Sequence, residues 1–228
     1  MSTPPFEKQV AYDGTKALIR IPAEPTGLAF IAPGAQVGPN HPLILAIRDG
    51  YEDRGMATVI ADLGKSELVK DDAFDVHANF KDGLQHVIDG YMSDNTYTPS
   101  TFELAGHSMG GAAAMIVASN NPVSRLTVLD PTPIDNENIQ NIDCPTTMIL
   151  SQARSFNASG NRMYAALMPT GRATDLYELE TRKNREEGHL FEGTGIKQNI
   201  TDIIFEQGTS NITPNITPPD DAPQHKPS

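Results

Sequence analysis

A single cysteine, Cys144, stands among the 228 residues, so a disulfide within the chain is impossible and no site built on several thiolates can form. It lies in Asp143-Cys144-Pro145, just ahead of a short apolar run, where a cysteine serves as a small apolar residue rather than as a nucleophile. Basic residues are also scarce: 17 Lys and Arg face 29 Asp and Glu, for a formal charge of -12. A surface of that sign repels phosphate backbones and anionic bilayers, so nucleic acids and membranes make poor partners. No apolar run approaches the roughly 20 residues that span a bilayer. The first residues, Met1-Ser2-Thr3-Pro4-Pro5-Phe6-Glu7-Lys8, lack the apolar core of a secretory signal, which makes the cytoplasm the expected location.

What the chain does have is alternation. Segments of strand character fall at 17–21, 27–32, 57–61, 101–105, 125–129, 146–150 and 175–180. Several are continuous apolar runs, such as Leu28-Ala29-Phe30-Ile31-Ala32, the pattern of strands covered on both faces. Helical spacing lies between them. Phe80, Leu84, Val87, Ile88 and Tyr91 share one face, as do Ile196, Ile200, Ile203 and Ile204, with Gly208 placed to stop that helix. Pro42 and Gly55 bracket another helix over 43–54. Such alternation predicts a mostly parallel, twisted sheet with helices on both faces. The one or two strands before Gly27 are free to pair antiparallel at an edge. The folded body is expected to occupy 1–207. Beyond it, 208–228 is polar and proline-rich, with Asn-Ile-Thr-Pro repeated in tandem at 211–214 and 215–218, and reads as a disordered tail.

The segment that carries chemistry is Thr101-Phe102-Glu103-Leu104-Ala105-Gly106-His107-Ser108-Met109-Gly110-Gly111, followed by a small-residue helix pattern. Gly-X-Ser-X-Gly alone arises by chance in about one chain of this length in ten, from ordinary Gly and Ser frequencies. Set between a strand and a helix it means more. A sharp strand-to-helix turn projects the serine hydroxyl above the sheet, and the glycines remove the β-carbons that would clash there. The helix N-terminus then aims its dipole at the serine, where negative charge would develop. The competing reading is a glycine-rich turn with no catalytic role.

Gly106-His107-Ser108-Met109-Gly110-Gly111, the pair Gly188-His189 and the strand order around them resemble the α/β-hydrolase family over about residues 15–207. The likeness is strongest to its compact members near the dienelactone hydrolases and small esterases. The resemblance implies a single-domain α/β-hydrolase fold without a large cap. It also implies hydrolysis of esters or related acyl compounds, with no cofactor, no metal and a small-molecule ester as partner.

In that fold the triad follows the chain order serine, acid, histidine. His41, His77 and His86 precede Ser108. His77 and His86 read as positions on a solvated helix, His107 sits inside the turn, and His225 belongs to the tail. His189 is left as the base, with an ordinary loop histidine as the alternative. The acid should close a strand between Ser108 and His189. Asp130 does, at the end of Leu126-Thr127-Val128-Leu129-Asp130, although Asp130-Pro131-Thr132-Pro133 also reads as a helix N-cap. Asp143 and Asp175 precede their strands, Glu178 and Glu180 lie within one, and Glu186 and Glu187 are awkwardly close to His189. The oxyanion hole should use the Met109 amide and a second amide from Ala32-Pro33-Gly34-Ala35-Gln36-Val37-Gly38, with Ala35 or Gln36 as donor.

Two features depart from the family pattern. Pro33 replaces the histidine that many relatives carry before the oxyanion donor. The usual place for the acid, after the penultimate strand, holds Ser151-Gln152-Ala153-Arg154-Ser155-Phe156 and no carboxylate. Some lipase-like members take the acid one strand earlier, where Asp130 stands. Only about 14 residues (131–144) separate that strand from the next, which predicts an open, shallow site for short or accessible esters. A thioesterase, amidase or perhydrolase would use the same serine and histidine. A binding module on a degenerate hydrolase scaffold is the reading from another class.

Overall fold

The computed structural model describes residues 6–35, 37–65, 76–94, 99–151, 154–168, 174–180, 188–193 and 195–207. The expected tail at 208–228, Gly208 with it, and Gln36 lie outside the described residues.

The apolar runs become strands that bury every side chain: β3 (Leu28–Ala32), β4 (Ala57–Ala61) and β7 (Thr146–Ser151) have no exposed position. With β1 (Phe6–Tyr12), β2 (Thr15–Ile21), β5 (Phe102–His107), β6 (Arg125–Leu129) and β8 (Thr174–Leu179) they form one sheet ordered β1-β2-β4-β3-β5-β6-β7-β8. β1 pairs antiparallel with β2, and β2 antiparallel with β4, while every other pairing is parallel. Strands joined in parallel need crossovers, and helices supply them.

These helices are α1 (Pro42–Asp53), α2 (Val76–Asp94), α3 (Met109–Ala118), α4 (Asn136–Asn141), α5 (Arg154–Leu167) and α6 (Ile196–Glu206). Pro42 opens α1, where a missing amide proton costs nothing, and the His41 ring caps it by accepting from the Leu43 amide at 3.2 Å. Gly55 stops the same helix in a left-handed turn, φ 76. The two faces of the sheet build separate cores. One joins Phe80, Leu84, Val87 and Tyr91 of α2 and the alanines of α3 to Phe30, Val59 and Val128. The other joins Leu43, Ile47 and Tyr51 of α1 and Ile196, Ile200 and Ile204 of α6 to Ile31, Ile60 and Ile149.

Three sequence expectations change. α4 and α5 are additions to the elements read from the sequence, and β1 makes two the number of edge strands before Gly27. Asp175 lies inside β8 rather than ahead of it. His77 and His86 are half-buried rather than solvated: His77 Nε2 lies 3.0 Å from Thr132 Oγ1, and His86 Nδ1 lies 3.5 Å from Asp13. Between β6 and β7 the only regular element is the six-residue α4, so no cap stands over the sheet there. Among the described residues no helix is long and apolar enough to cross a membrane.

Candidate active site

Three neighbouring strands end at the same level, and each presents a polar residue there. The register pairs His107 with Leu129 and Leu129 with Ile149, so Ser108 and Asp130, each one residue beyond its pair, and Ser151, two beyond Ile149, stand together at the C-terminal ends of the strands. The ladder carries on through the turns: the Ser108 amide donates to Leu129 O at 2.9 Å and the Asp130 amide to Ile149 O at 3.0 Å.

Ser108 occupies the turn that its glycines permit. Its φ of 54 and ψ of -120 lie where an L residue is rarely found, the strain expected when a strand turns directly into a helix. A β-carbon on Gly110 would fall 2.1 Å from Ala32 O, and one on Gly106 would fall 2.4 Å from Gly110 O. The turn can close on itself only because Gly106 lacks a side chain, and pass so close to β3 only because Gly110 does. The Met109 amide opens α3 with no helical acceptor behind it, so it is free to serve a ligand. Gly34 leans on the same turn, its would-be β-carbon 3.1 Å from Ser108 Cβ. The next residue, Ala35, is exposed in the turn closed by the Val37 amide on Gly34 O at 3.0 Å. Gln36, the other expected donor, lies outside the described residues.

His189 reaches back across the edge. Its Nε2 is 2.9 Å from Ser108 Oγ and its Nδ1 is 3.2 Å from Asp130 Oδ2. A carboxylate only accepts, so Nδ1–H donates to Asp130 and Nε2 is left as the acceptor for the serine hydroxyl. Asp130 is fully buried and takes a left-handed backbone, φ 40, which aspartate tolerates better than most residues. The alternative reading of Asp130 as a helix cap fails: the chain runs on to Asp135, whose side chain caps α4 by accepting from the Asn138 amide at 2.9 Å. Ser151 completes the cluster. Its amide donates to Asp130 Oδ1 at 2.8 Å and its hydroxyl to Oδ2 at 2.5 Å. Nothing in the local sequence singles it out, beyond being a polar residue that closes an apolar strand.

The loop bearing His189 is pinned from below. Phe191, fully buried, closes a turn by donating its amide to Gly188 O at 2.9 Å. The His107 ring lies against that of His189, centroids 4.6 Å apart, and its Nε2–H donates to the His189 carbonyl at 2.9 Å. His107 thus braces the segment that carries His189. Burial first, and the neighbouring His189 ring second, push the His107 imidazole down to about 3. It therefore stays neutral at ordinary pH, and the ring against His189 carries no charge.

A stability prediction follows. An unfolded histidine binds its proton near pH 6.5, whereas folded His107 resists until about 3. The stability gained by burying the neutral ring is whole above pH 6.5 and drains away as pH falls toward 3. His107→Gln keeps a donor for the His189 carbonyl but does not titrate. Between pH 7 and pH 4, wild type is expected to lose about 3 kcal/mol more than this variant in urea unfolding. Equal losses would contradict the assignment.

On the other side of Ser108, the Thr132 amide donates to Ser108 O at 3.2 Å, and the His77–Thr132 contact extends that wall toward α2. Among the described residues no group of three His, Cys, Asp or Glu side chains is arranged to hold a metal ion. The arrangement suits one kind of chemistry: a hydroxyl deprotonated by an imidazole that a buried carboxylate orients, beside amides that face developing negative charge.

The sequence matches no protein-family model and no curated protein. Solved structures resemble it closely in shape. Dienelactone hydrolase from Anabaena variabilis superposes with a TM-score of 0.75 at 19% identity, over 90% of this chain and 97% of that one. Carboxyl esterase 2 from the mycorrhizal fungus Tuber melanosporum gives 0.69 at 14%, over 91% and 88%. An α/β serine hydrolase homologue from Coxiella burnetii gives 0.69 at 13%, over 91% and 99%. Likeness of backbone at so little identity speaks to architecture, and together with the strand order it establishes that the chain has the α/β-hydrolase fold.

Proposed function

We propose that the protein is a serine hydrolase of carboxylic esters in which Ser108 is the nucleophile, His189 the general base and Asp130 the acid that orients it. The observation that carries this reading is the unbroken run of contacts from Ser108 Oγ to His189 Nε2 at 2.9 Å and from His189 Nδ1 to Asp130 Oδ2 at 3.2 Å. In this reading His189 takes the Ser108 proton as Oγ attacks the ester carbonyl. The Met109 amide and that of Ala35 or Gln36 hold the resulting oxyanion. The imidazolium gives its proton to the departing alcohol and leaves an acyl group on Ser108. Water, deprotonated by the same imidazole, then attacks the acyl group, and the acid leaves with Ser108 restored. No step uses a cofactor.

Carboxyl esterase and dienelactone hydrolase among the structural neighbours support acyl hydrolysis. The short β6–β7 connection, occupied by α4, supports an open site and hence small acyl groups. Turnover of p-nitrophenyl acetate, butyrate and palmitate tests both points. The acetate and butyrate are expected to be cleaved and the palmitate poorly, and His189→Ala should lower kcat on acetate by about 10⁴-fold. Thioesters or anilides cleaved while all three esters are left intact would move the assignment to a thioesterase or amidase.

A further inference from the structure

The Asp130 carboxylate is gripped at both oxygens by one residue. The Ser151 amide holds Oδ1 at 2.8 Å and the Ser151 hydroxyl holds Oδ2 at 2.5 Å, while His189 Nδ1 meets that same Oδ2 at 3.2 Å. Both Ser151 and Asp130 are fully buried, so no bulk water can replace either donor. An aspartate left to itself rotates broadly about its last torsion. Two donors from one residue at a fixed strand end remove that freedom: with Oδ1 tied to the amide and Oδ2 to the hydroxyl, the carboxylate plane has one orientation, and in it Oδ2 faces the imidazole. The amide alone would leave Oδ2 free to swing on the Oδ1 anchor. The backbone adds to the need, because Asp130 leaves β6 in a left-handed conformation that only the surroundings hold in place.

We infer that Ser151 is a positioning residue for catalysis, its hydroxyl fixing the Asp130 carboxylate so that His189 presents Nε2 to Ser108. This rests on the Ser108–His189–Asp130 reading given above. Ser151 touches no reacting atom. It acts at the third remove from the nucleophile, through Asp130 and then His189, so its removal should slow the acyl-transfer chemistry and leave substrate binding alone.

Steady-state hydrolysis of p-nitrophenyl acetate by the full chain tests the inference, in wild type, Ser151→Ala, Asp130→Asn and the double variant. Ser151→Ala deletes one oxygen from a packed strand end and leaves the amide anchor in place, so the protein should fold. Its kcat is expected to fall by about 10- to 100-fold, the scale of one hydrogen bond to a charged group, with KM within about twofold of wild type. In the Asp130→Asn background the same change should cost less than about threefold, because a residue that works only through Asp130 has nothing left to orient. A kcat for Ser151→Ala within twofold of wild type, a loss carried by KM, or equal losses in both backgrounds would each overturn the inference. Failure of the underlying triad looks different: wild type would not cleave the ester, or Asp130→Asn would cleave it as fast as wild type.

Discussion

Asp130→Asn is expected to lower kcat by about 10⁴-fold with little change in the fold, by reversing the tautomer of the base. The direction follows from the contacts around the carboxylate. Ser151 N–H must have an acceptor, so the asparagine oxygen takes the Oδ1 place, 2.8 Å from that amide, and the NH₂ group falls where Oδ2 stood. That NH₂ is a donor and now faces His189 Nδ1, which becomes an acceptor in response. The imidazole proton moves to Nε2 and points at Ser108 Oγ, and a nitrogen carrying a proton cannot take another from the serine. The side chain is isosteric and fully buried, so circular dichroism and the melting temperature should change little beside the kinetics. A loss below about tenfold, in a variant that retains the wild-type spectrum, would show that Asp130 is not the acid.

Gly110→Ala is expected to produce the largest loss of stability available from a single methyl group near the site. The new carbon would lie 2.1 Å from Ala32 O and 2.4 Å from Pro33 O, both backbone atoms at the end of β3. Backbone at that place cannot step aside cheaply: β3 is paired in parallel on both sides, and Gly34, next along, already rests against Ser108 Cβ. Either the nucleophile turn or the β3 loop must move. A cost above about 3 kcal/mol is expected, seen as a melting temperature lower by roughly 6–12 °C or as failure to accumulate soluble protein. Gly38→Ala is the matched control. Nothing lies within 4 Å of its would-be β-carbon, so the change should be within about 0.5 kcal/mol of wild type. Equal effects at the two positions would mean that the close approach of α3 to β3 is not what Gly110 provides.

How far the sequence could be read depended on how local each feature is. The Ser108 turn depends on a few consecutive residues, Gly106 to Gly111, and the strain at Ser108 is visible in the glycines that surround it. Buried strands such as β3 and β7 are equally local, being continuous apolar runs. His189 emerged by elimination along the chain, and Asp130 because it closes a strand. Meeting the serine across 81 residues, however, is a property of the sheet order and not of either segment. Ser151 was illegible for the same reason in stronger form: a serine at a strand end has no signature until β6 is laid beside β7. His77 differs from its sequence reading because its ring has a partner, Thr132, 55 residues away and outside its own helix. β1 gave a weak signal because an edge strand buries little; of its seven positions only Tyr12 is buried.

The most direct measurement of the central claim is labelling by a fluorophosphonate probe, which traps an activated serine, with the site of attachment read by mass spectrometry in wild type and in Ser108→Ala. The account predicts one modified residue, Ser108, in the wild-type protein and none in the variant. A folded wild-type protein that stays unlabelled, or one that carries the label on another residue, would contradict it.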